Sequence, residues 1–233
     1  MKKYFAILAL LIIQSSTLFA QDVVGTDSKI SIQKPSRDFV MLELLYNGWT
    51  NKPDTVHTGG LGRGFNAFLC YDFPIKKSHF SFATGLGINV NNIYLDNQKI
   101  VNTDTGSAAV ARFKDTSGLS KYKLTTSYLT APFELRFFGN NENRNKGFKA
   151  AIGLRVGLLV GAHTKDKYSV AGSTIVDKEN TTRYLNKWEF TATARIGYGN
   201  FYLIGAYNLT PMYKEGSGPQ MVPFSLGIGI SGL

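Results

Sequence analysis

Three histidines and a single cysteine bound the side-chain chemistry this chain can carry. His79 and Ser81 stand two residues apart, so on a strand they face the same way. An imidazole beside a hydroxyl is the pairing that turns serine into a nucleophile. Asp54 and His57 could form a carboxylate–imidazole pair for acid–base work, but they fall in a polar, turn-rich stretch that reads as a solvated loop. His163 stands alone and is expected to cap the outer rim of a strand. Cys70 has no second cysteine to pair with, so no internal disulfide is possible. No cysteine–histidine cluster suggests a metal site, and no glycine-rich segment bridges a strand and a helix to cradle a nucleotide. The residues therefore nominate no catalytic, cofactor-binding or metal-ligating group, and a non-enzymatic protein is the expectation.

A second constellation is ionic. Glu43, Asp72, Glu134, Arg136, Arg155, Glu189 and Arg195 all fall on the polar side of segments whose other side is apolar. The clearest such segment is Tyr128 to Phe138, where Leu129, Ala131, Phe133, Leu135 and Phe137 alternate with Tyr128, Thr130, Pro132, Glu134 and Arg136. Strand side chains alternate between faces with a period of two, so one face is apolar and the other polar. The same pattern recurs at Val40–Tyr46, Phe65–Phe73, Phe80–Val90, Ala151–Val160, Trp188–Tyr198 and Phe224–Ser231. Phe201–Leu209 alternates poorly, and its facing stays open. Eight strands result, and the fold class is all-β: an eight-stranded antiparallel up-and-down transmembrane β-barrel.

The connections support closure across a membrane. Long polar loops are expected at Asn47–Gly60, Asp96–Ser120, Lys165–Tyr184 and Pro211–Met221. Short turns are expected at Pro74–Ser78, Gly139–Gly147 and Gly199–Asn200. A meander with both ends on the periplasmic side gives this alternation, with short periplasmic turns and long external loops. The apolar faces then meet lipid, with Trp188 and Tyr198 at the two ends of a band about 25 Å tall. The seven charged residues line a lumen with room only for side chains. Buried there, they must pair, so a structural salt-bridge network is the reading, ahead of a proton or ion path. Pro132 has no N–H for the ladder, and a bulge or local break is expected beside it. Gly85, Gly87, Gly153, Gly157, Gly227 and Gly229 read as lumen positions without space for larger side chains.

Composition agrees. Glycine at 24 residues and aromatics at 13% suit a barrel with small lumen residues and aromatic girdles. Residues 1–20 read as a signal peptide: Lys2 and Lys3, the apolar run Phe5–Ile13, and Leu18-Phe19-Ala20 before Gln21. Residues 21–37 read as a flexible arm and 38–233 as the barrel domain. Loss of Lys2 and Lys3 takes the formal charge from +10 to about +8. The remaining basic residues are scattered, which in an exported protein favours anionic lipid headgroups or peptidoglycan over nucleic acid as contacts.

The strand count, the export signal and the segment with Tyr128, Leu129, Pro132 and Phe133 resemble the outer-membrane β-barrel family that includes PorT-like proteins. They resemble the small OmpA-type barrels more loosely. One departure is the C-terminus, Ser231-Gly232-Leu233, where such barrels often end on an aromatic residue. The resemblance implies an outer-membrane monomer, reached by Sec export and signal cleavage, with a structural or interaction role that assists secretion or envelope assembly through its external loops. Its partners would be outer-membrane lipid and envelope or secretion proteins, with no nucleic acid. The spacing of His79 and Ser81 also resembles the His-x-Ser pair of lipid A deacylase barrels, and Asp54 and His57 resemble the Asp–His elements of omptin proteases, which have ten strands. Two alternatives are thus carried: a lipid-modifying barrel enzyme, and a secreted lipocalin-like binder with its apolar faces turned inward.

Overall fold

The computed structural model describes residues 40–76, 78–105, 108–116, 119–140, 146–170 and 173–232. The expected signal at 1–20, the arm at 21–37 and the strand start near Asp38 lie outside these residues. Every regular element among the described residues is a strand: β1 (Val40–Thr50), β2 (Arg63–Pro74), β3 (Phe80–Leu95), β4 (Gln98–Thr105), β5 (Ala108–Asp115), β6 (Leu119–Phe138), β7 (Phe148–Val170), β8 (Ser173–Asn180), β9 (Trp188–Tyr198), β10 (Phe201–Asn208) and β11 (Val222–Ser231). Eight of them form an antiparallel ring, β1-β2-β3-β6-β7-β9-β10-β11, which β11 closes by pairing with β1 from Met41↔Ser231 to Thr50↔Val222. Closure removes the edges, so ladder groups find partners all the way round the wall.

Each wall strand sorts its side chains as the alternation dictates. On β9, Glu189, Thr191, Thr193 and Arg195 are buried, while Trp188, Phe190 and Ile196 face out. The apolar faces point away from the lumen, opposite to what an interior-binding lipocalin-like barrel needs. Trp188 (52% exposed) and Tyr198 (73%) end the outward row of β9. Ten residues at about 3.4 Å rise and about 40° tilt separate them by about 26 Å in height, the thickness of a membrane band. β10 alternates weakly in sequence because its lumen side carries Tyr202 and Ile204, which join Met41, Leu45, Phe68 and Cys70 in a small apolar layer inside the barrel.

Three of the expected loops differ from what the polarity of their residues suggests. Asn47 to Thr50 continue β1 in register with β11. Asn47 turns inward, donates to Asn91 Oδ1 (2.8 Å) and accepts from Ser225 Oγ (2.8 Å), so it serves the lumen and not a turn. The stretch expected as the Asp96–Ser120 loop holds the β4–β5 hairpin and the start of β6, and the Lys165–Tyr184 stretch holds the end of β7 and all of β8. Their short alternations were masked by charged residues on the solvent side. Of the short turns, Gly199–Asn200 joins paired Tyr198 and Phe201, with Gly199 at φ 63°, a conformation glycine adopts without strain.

Pro132 interrupts the β3–β6 ladder locally. Pairing is continuous to Thr84↔Phe133, resumes at Gly87↔Thr130 and keeps one register throughout. The bulge lies elsewhere, on the β7 side, where Ser127↔Gly161 is followed by Tyr128↔Leu159 and leaves Val160 unmatched. This extra residue flips the parity of β7, so Val160 is 61% exposed and Ala162 and Thr164 are buried.

Close backbone approach holds Gly85, Gly87, Gly153 and Gly227, while Gly157 and Gly229 make room for the Glu189 and Tyr202 side chains. A Cβ on Gly85 would run into the Leu69 carbonyl and lie 2.8 Å from Cys70 Cα, whereas one on Gly161 would meet nothing within 4 Å. Gly85→Val is therefore expected to destabilise the folded barrel by about 1–3 kcal/mol in urea titrations, the ordinary cost of overpacking. Gly161→Ala is expected to stay within about 0.5 kcal/mol of the parent.

Candidate functional site

The candidate site is the lumen, and its charges stack along the barrel axis in distinct layers. Glu134 and Arg136 are two apart on β6 and so share the inward face, which lets Arg136 Nε donate to Glu134 Oε2 at 2.8 Å. Arg136 Nη1 reaches across to Asp72 Oδ1 on β2 at 2.8 Å, and Arg195 Nη2 from β9 donates to the same Glu134 oxygen at 2.9 Å. Ser81 Oγ adds a donor to Asp72 Oδ1 at 3.4 Å. Asp72 and Glu134 are thus bridged by one guanidinium, in the half of the barrel nearer the short turns.

One step further along the axis, Arg155 on β7 forms a two-pronged pair with Glu43 on β1, at 2.9 and 2.6 Å. Glu43 also accepts from Asn66 Nδ2 (2.7 Å) and Tyr202 Oη (3.1 Å). The Arg155 guanidinium lies 4.5 Å from the centre of the Phe68 ring, and that of Arg195 lies 4.9 Å from the Tyr202 ring. Glu43 is 0%, Arg136 1% and Arg155 2% exposed, so these are buried ion pairs with most of their donors and acceptors used.

Glu189 is handled differently. It accepts from Asn208 Nδ2 at 3.2 Å, and Asn208 Oδ1 in turn accepts from Thr191 Oγ1 at 2.8 Å. No ion pair joins it to a described cation. It borders a cavity of about 30 Å³ that is lined also by Asn47, Asn66, Asn89 and Asn91, enough for about two water molecules. Six of the seven charged residues nominated from sequence are therefore brought into salt bridges, and Glu189 into an amide network.

An eighth charge, Lys149, was missed. It is 6% exposed on β7, with its Nζ 5.7 Å from the Phe138 ring. The signal was its parity with Ala151, Gly153 and Arg155, hidden because the strand was started too late. With it, four acids (Glu43, Asp72, Glu134, Glu189) face four bases (Arg136, Lys149, Arg155, Arg195).

The mouth at the long-connection end is closed by apolar side chains. Trp49, Val56, Ile93, Leu95, Ile100, Leu124, Tyr184, Leu185, Met212, Tyr213 and Met221 form one buried cluster, with Phe113 packed against it. Most come from the long connections, which turn inward as a plug. Sequence reading assigned those stretches to the surface, since their apolar residues are sparse and only the fold gathers them.

The remaining candidates stay apart. Ser81 points into the lumen toward Asp72, while the His79 ring stacks on Phe137 (5.7 Å between centres) and bonds through Nδ1 to the Phe138 carbonyl at 2.6 Å. They do not form the same-facing pair that their spacing suggested, because His79 precedes β3. Asp54 and His57 are exposed in the first long connection. His163 does not cap a strand rim; it sits mid-strand in β7, paired with Thr125 and Asn180. Among the described residues no group of three or more His, Cys, Asp or Glu side chains is placed to hold a metal ion.

A family model for the outer membrane protein beta-barrel domain matches residues 34–214, most of the ring just described. The chain belongs to this outer-membrane β-barrel family. No curated protein matches it. Membership places the chain in the outer membrane and makes its outward apolar row the lipid contact. Tyr71, Phe73, Phe80, Phe137, Phe148, Tyr198 and Phe201 then form the aromatic girdle at the short-turn end, and Trp188, Tyr46 and Phe224 part of the other. No helix of the described residues is long and apolar enough to cross a membrane, and none is needed in a barrel that crosses with strands.

Arg155→Met leaves Glu43 buried without its cation, and the expected loss is about 3–5 kcal/mol in urea unfolding from detergent or vesicles. Adding Glu43→Gln removes the stranded charge and is expected to recover more than half of that loss. Equal stability of the single variant and the parent would show that the pair is not what holds the lumen together.

Proposed function

We propose that the chain is a non-conducting, non-enzymatic outer-membrane barrel that acts as a platform, presenting its β4–β5 and β7–β8 hairpins outside the cell to other envelope components. The observation that carries this reading is the blocked lumen: paired charges across its middle and an apolar plug at one mouth leave no solute path. The hairpins, in contrast, are ordered strands held above the wall, a more costly arrangement than the loose loops a mere spacer needs. The outward placement is supported by the long connections all leaving the same end of the barrel, as external loops of such barrels do.

Assistance to secretion or envelope assembly, as in PorT-like barrels, is the role that suits such a platform. Delivery would use Sec export with cleavage after Ala20. A lipid-modifying activity is the second reading, and the separation of His79 from Ser81 counts against it.

Two measurements test the proposal. In planar bilayers the purified barrel is expected to give no nanosiemens-scale conductance, and steady channel openings of that size would contradict it. In intact cells, Lys114→Cys on β5, an exposed position, in a Cys70→Ser background is expected to react with a membrane-impermeant maleimide. Labelling only after lysis would place the hairpins on the periplasmic side.

A further inference from the structure

β6 and β7 are the longest strands of the ring, and above the lipid band they form a wall that β8 widens. The last strongly lipid-exposed residues are Leu129 on β6 and Val160 on β7. Beyond them the outward row carries Lys121 and Lys123 on β6, His163, Lys165 and Lys167 on β7, and Lys178 on β8. Their facing is fixed by the intervening residues, since Tyr122, Leu124 and Thr164 are buried against the plug side.

The register sets like charges directly opposite one another: Lys121↔Lys167 and Lys123↔Lys165 across β6–β7, and Lys165↔Lys178 across β7–β8. Opposed like charges on one face of a sheet are destabilising. Acids to relieve them are present in the same strands but are turned to the other face. Asp166 opposes Asp177, and with Glu179 they line a cleft of about 210 Å³ against Lys99 and Tyr122. None of the five lysines is paired with a described carboxylate.

The field is felt locally: burial, then Lys165, Lys121 and Lys178, hold the Lys123 ammonium below its ordinary pKa. Burial together with Lys178, Lys123 and Lys165 does the same to His163. Two lysines are also steadied by uncharged groups, Lys123 by Asn92 Oδ1 (2.9 Å) and Lys121 by the Tyr94 ring (5.1 Å). A polyanion lying across the wall would turn this repulsion into attraction.

Position says which polyanion. Five residues separate Val160 from Lys165, about 13 Å of height at the usual rise and tilt, so the lysines stand above the acyl chains, at the level of the headgroup saccharides and their phosphates. That is the layer of phosphorylated glycolipid headgroups in the outer leaflet, and the lysines lie on the same outward side of the wall as the lipid-facing row below them.

We propose that the outward face of β6, β7 and β8 is a binding site for the phosphate groups of outer-leaflet glycolipid, with Lys123, Lys165 and Lys178 as its centre. This rests on the external placement of the hairpins proposed above. The maleimide labelling tests that placement separately, so labelled hairpins without lipid selectivity would sink the glycolipid site alone.

The test compares the full mature protein in nanodiscs carrying bis-phosphorylated lipid A or lipid A stripped of both phosphates. The parent is expected to retain more phosphorylated lipid A by native mass spectrometry and to melt higher in its presence. Lys123→Gln/Lys165→Gln/Lys178→Gln is expected to weaken retention at least about tenfold, each lysine contributing to attraction at an anionic surface. In phosphate-free discs the same variant is expected to be at least as stable as the parent, since its repulsion is gone. The corresponding triple arginine variant keeps the charge and is expected to retain lipid A, as is Lys76→Gln at the opposite end. Equal retention of both lipids by the parent, an unaffected glutamine variant, or loss in the arginine variant would overturn the proposal.

Discussion

A sheet of eight strands closes on a lumen no wider than the side chains that fill it. Any charge placed there loses most of its hydration, and it persists only if another charge or several donors replace the water. The Glu43–Arg155 pair and the Asp72–Arg136–Glu134–Arg195 chain satisfy that constraint by joining strands far apart around the ring. Glu43 and Arg155 are 112 residues apart in the chain, so this contact exists only in the closed barrel. Wrong registers would strand one of these ions, because a one-residue slip sends the side chain to the lipid face. The ion layers thus specify register as well as fill space. The lumen glycines are their complement, leaving volume on neighbouring strands for guanidinium groups and aromatic rings.

The two ends of the barrel follow from the same closure. At one end the connections are short and the mouth is closed by Arg136, Phe138 and Lys149. At the other the chain has length to spare, and it uses that length twice. Part turns inward as the apolar plug around Leu185, Tyr213 and Met221, and part rises as hairpins. Below the plug lies a polar layer in which asparagines surround Glu189. On the hairpins charge is sorted by face, with Asp166, Asp177 and Glu179 turned toward β4 and the lysines toward the outward side.

Much of the wall was legible because lipid imposes a strict two-residue period. Leu129, Phe133, Leu135 and Phe137 must all be apolar, whereas Thr130, Glu134 and Arg136 on the lumen side of that strand are polar. The charged lumen positions were legible for the same reason, as exceptions on the polar face. What period alone does not show is where strands stop once they leave the membrane. Above Leu129 and Val160 neither face meets acyl chains, so Lys121–Thr126 and His163–Tyr168 lose the contrast while keeping their ladder. The Val160 bulge was invisible too, since one extra residue changes the parity without changing the composition. Lys149 was lost to a boundary two residues late, and the plug to the scatter of Val56, Ile100, Leu185 and Met221 among polar neighbours. Pro132 showed its effect where its missing N–H falls, as a gap in the β3 ladder without any slip.

The most direct probe of a sealed, ion-paired lumen is already in the chain. Cys70 lies inside the barrel, 2% exposed, with its Sγ 3.6 Å from Met41 Sδ and the Arg136 guanidinium close by that same methionine. Its modification by a small charged methanethiosulfonate should be followed on the folded, membrane-inserted protein. With the lumen closed as described, labelling is expected only at the rate of global unfolding and to be complete once the barrel is denatured. Rapid labelling of the folded barrel from either side would contradict a sealed lumen.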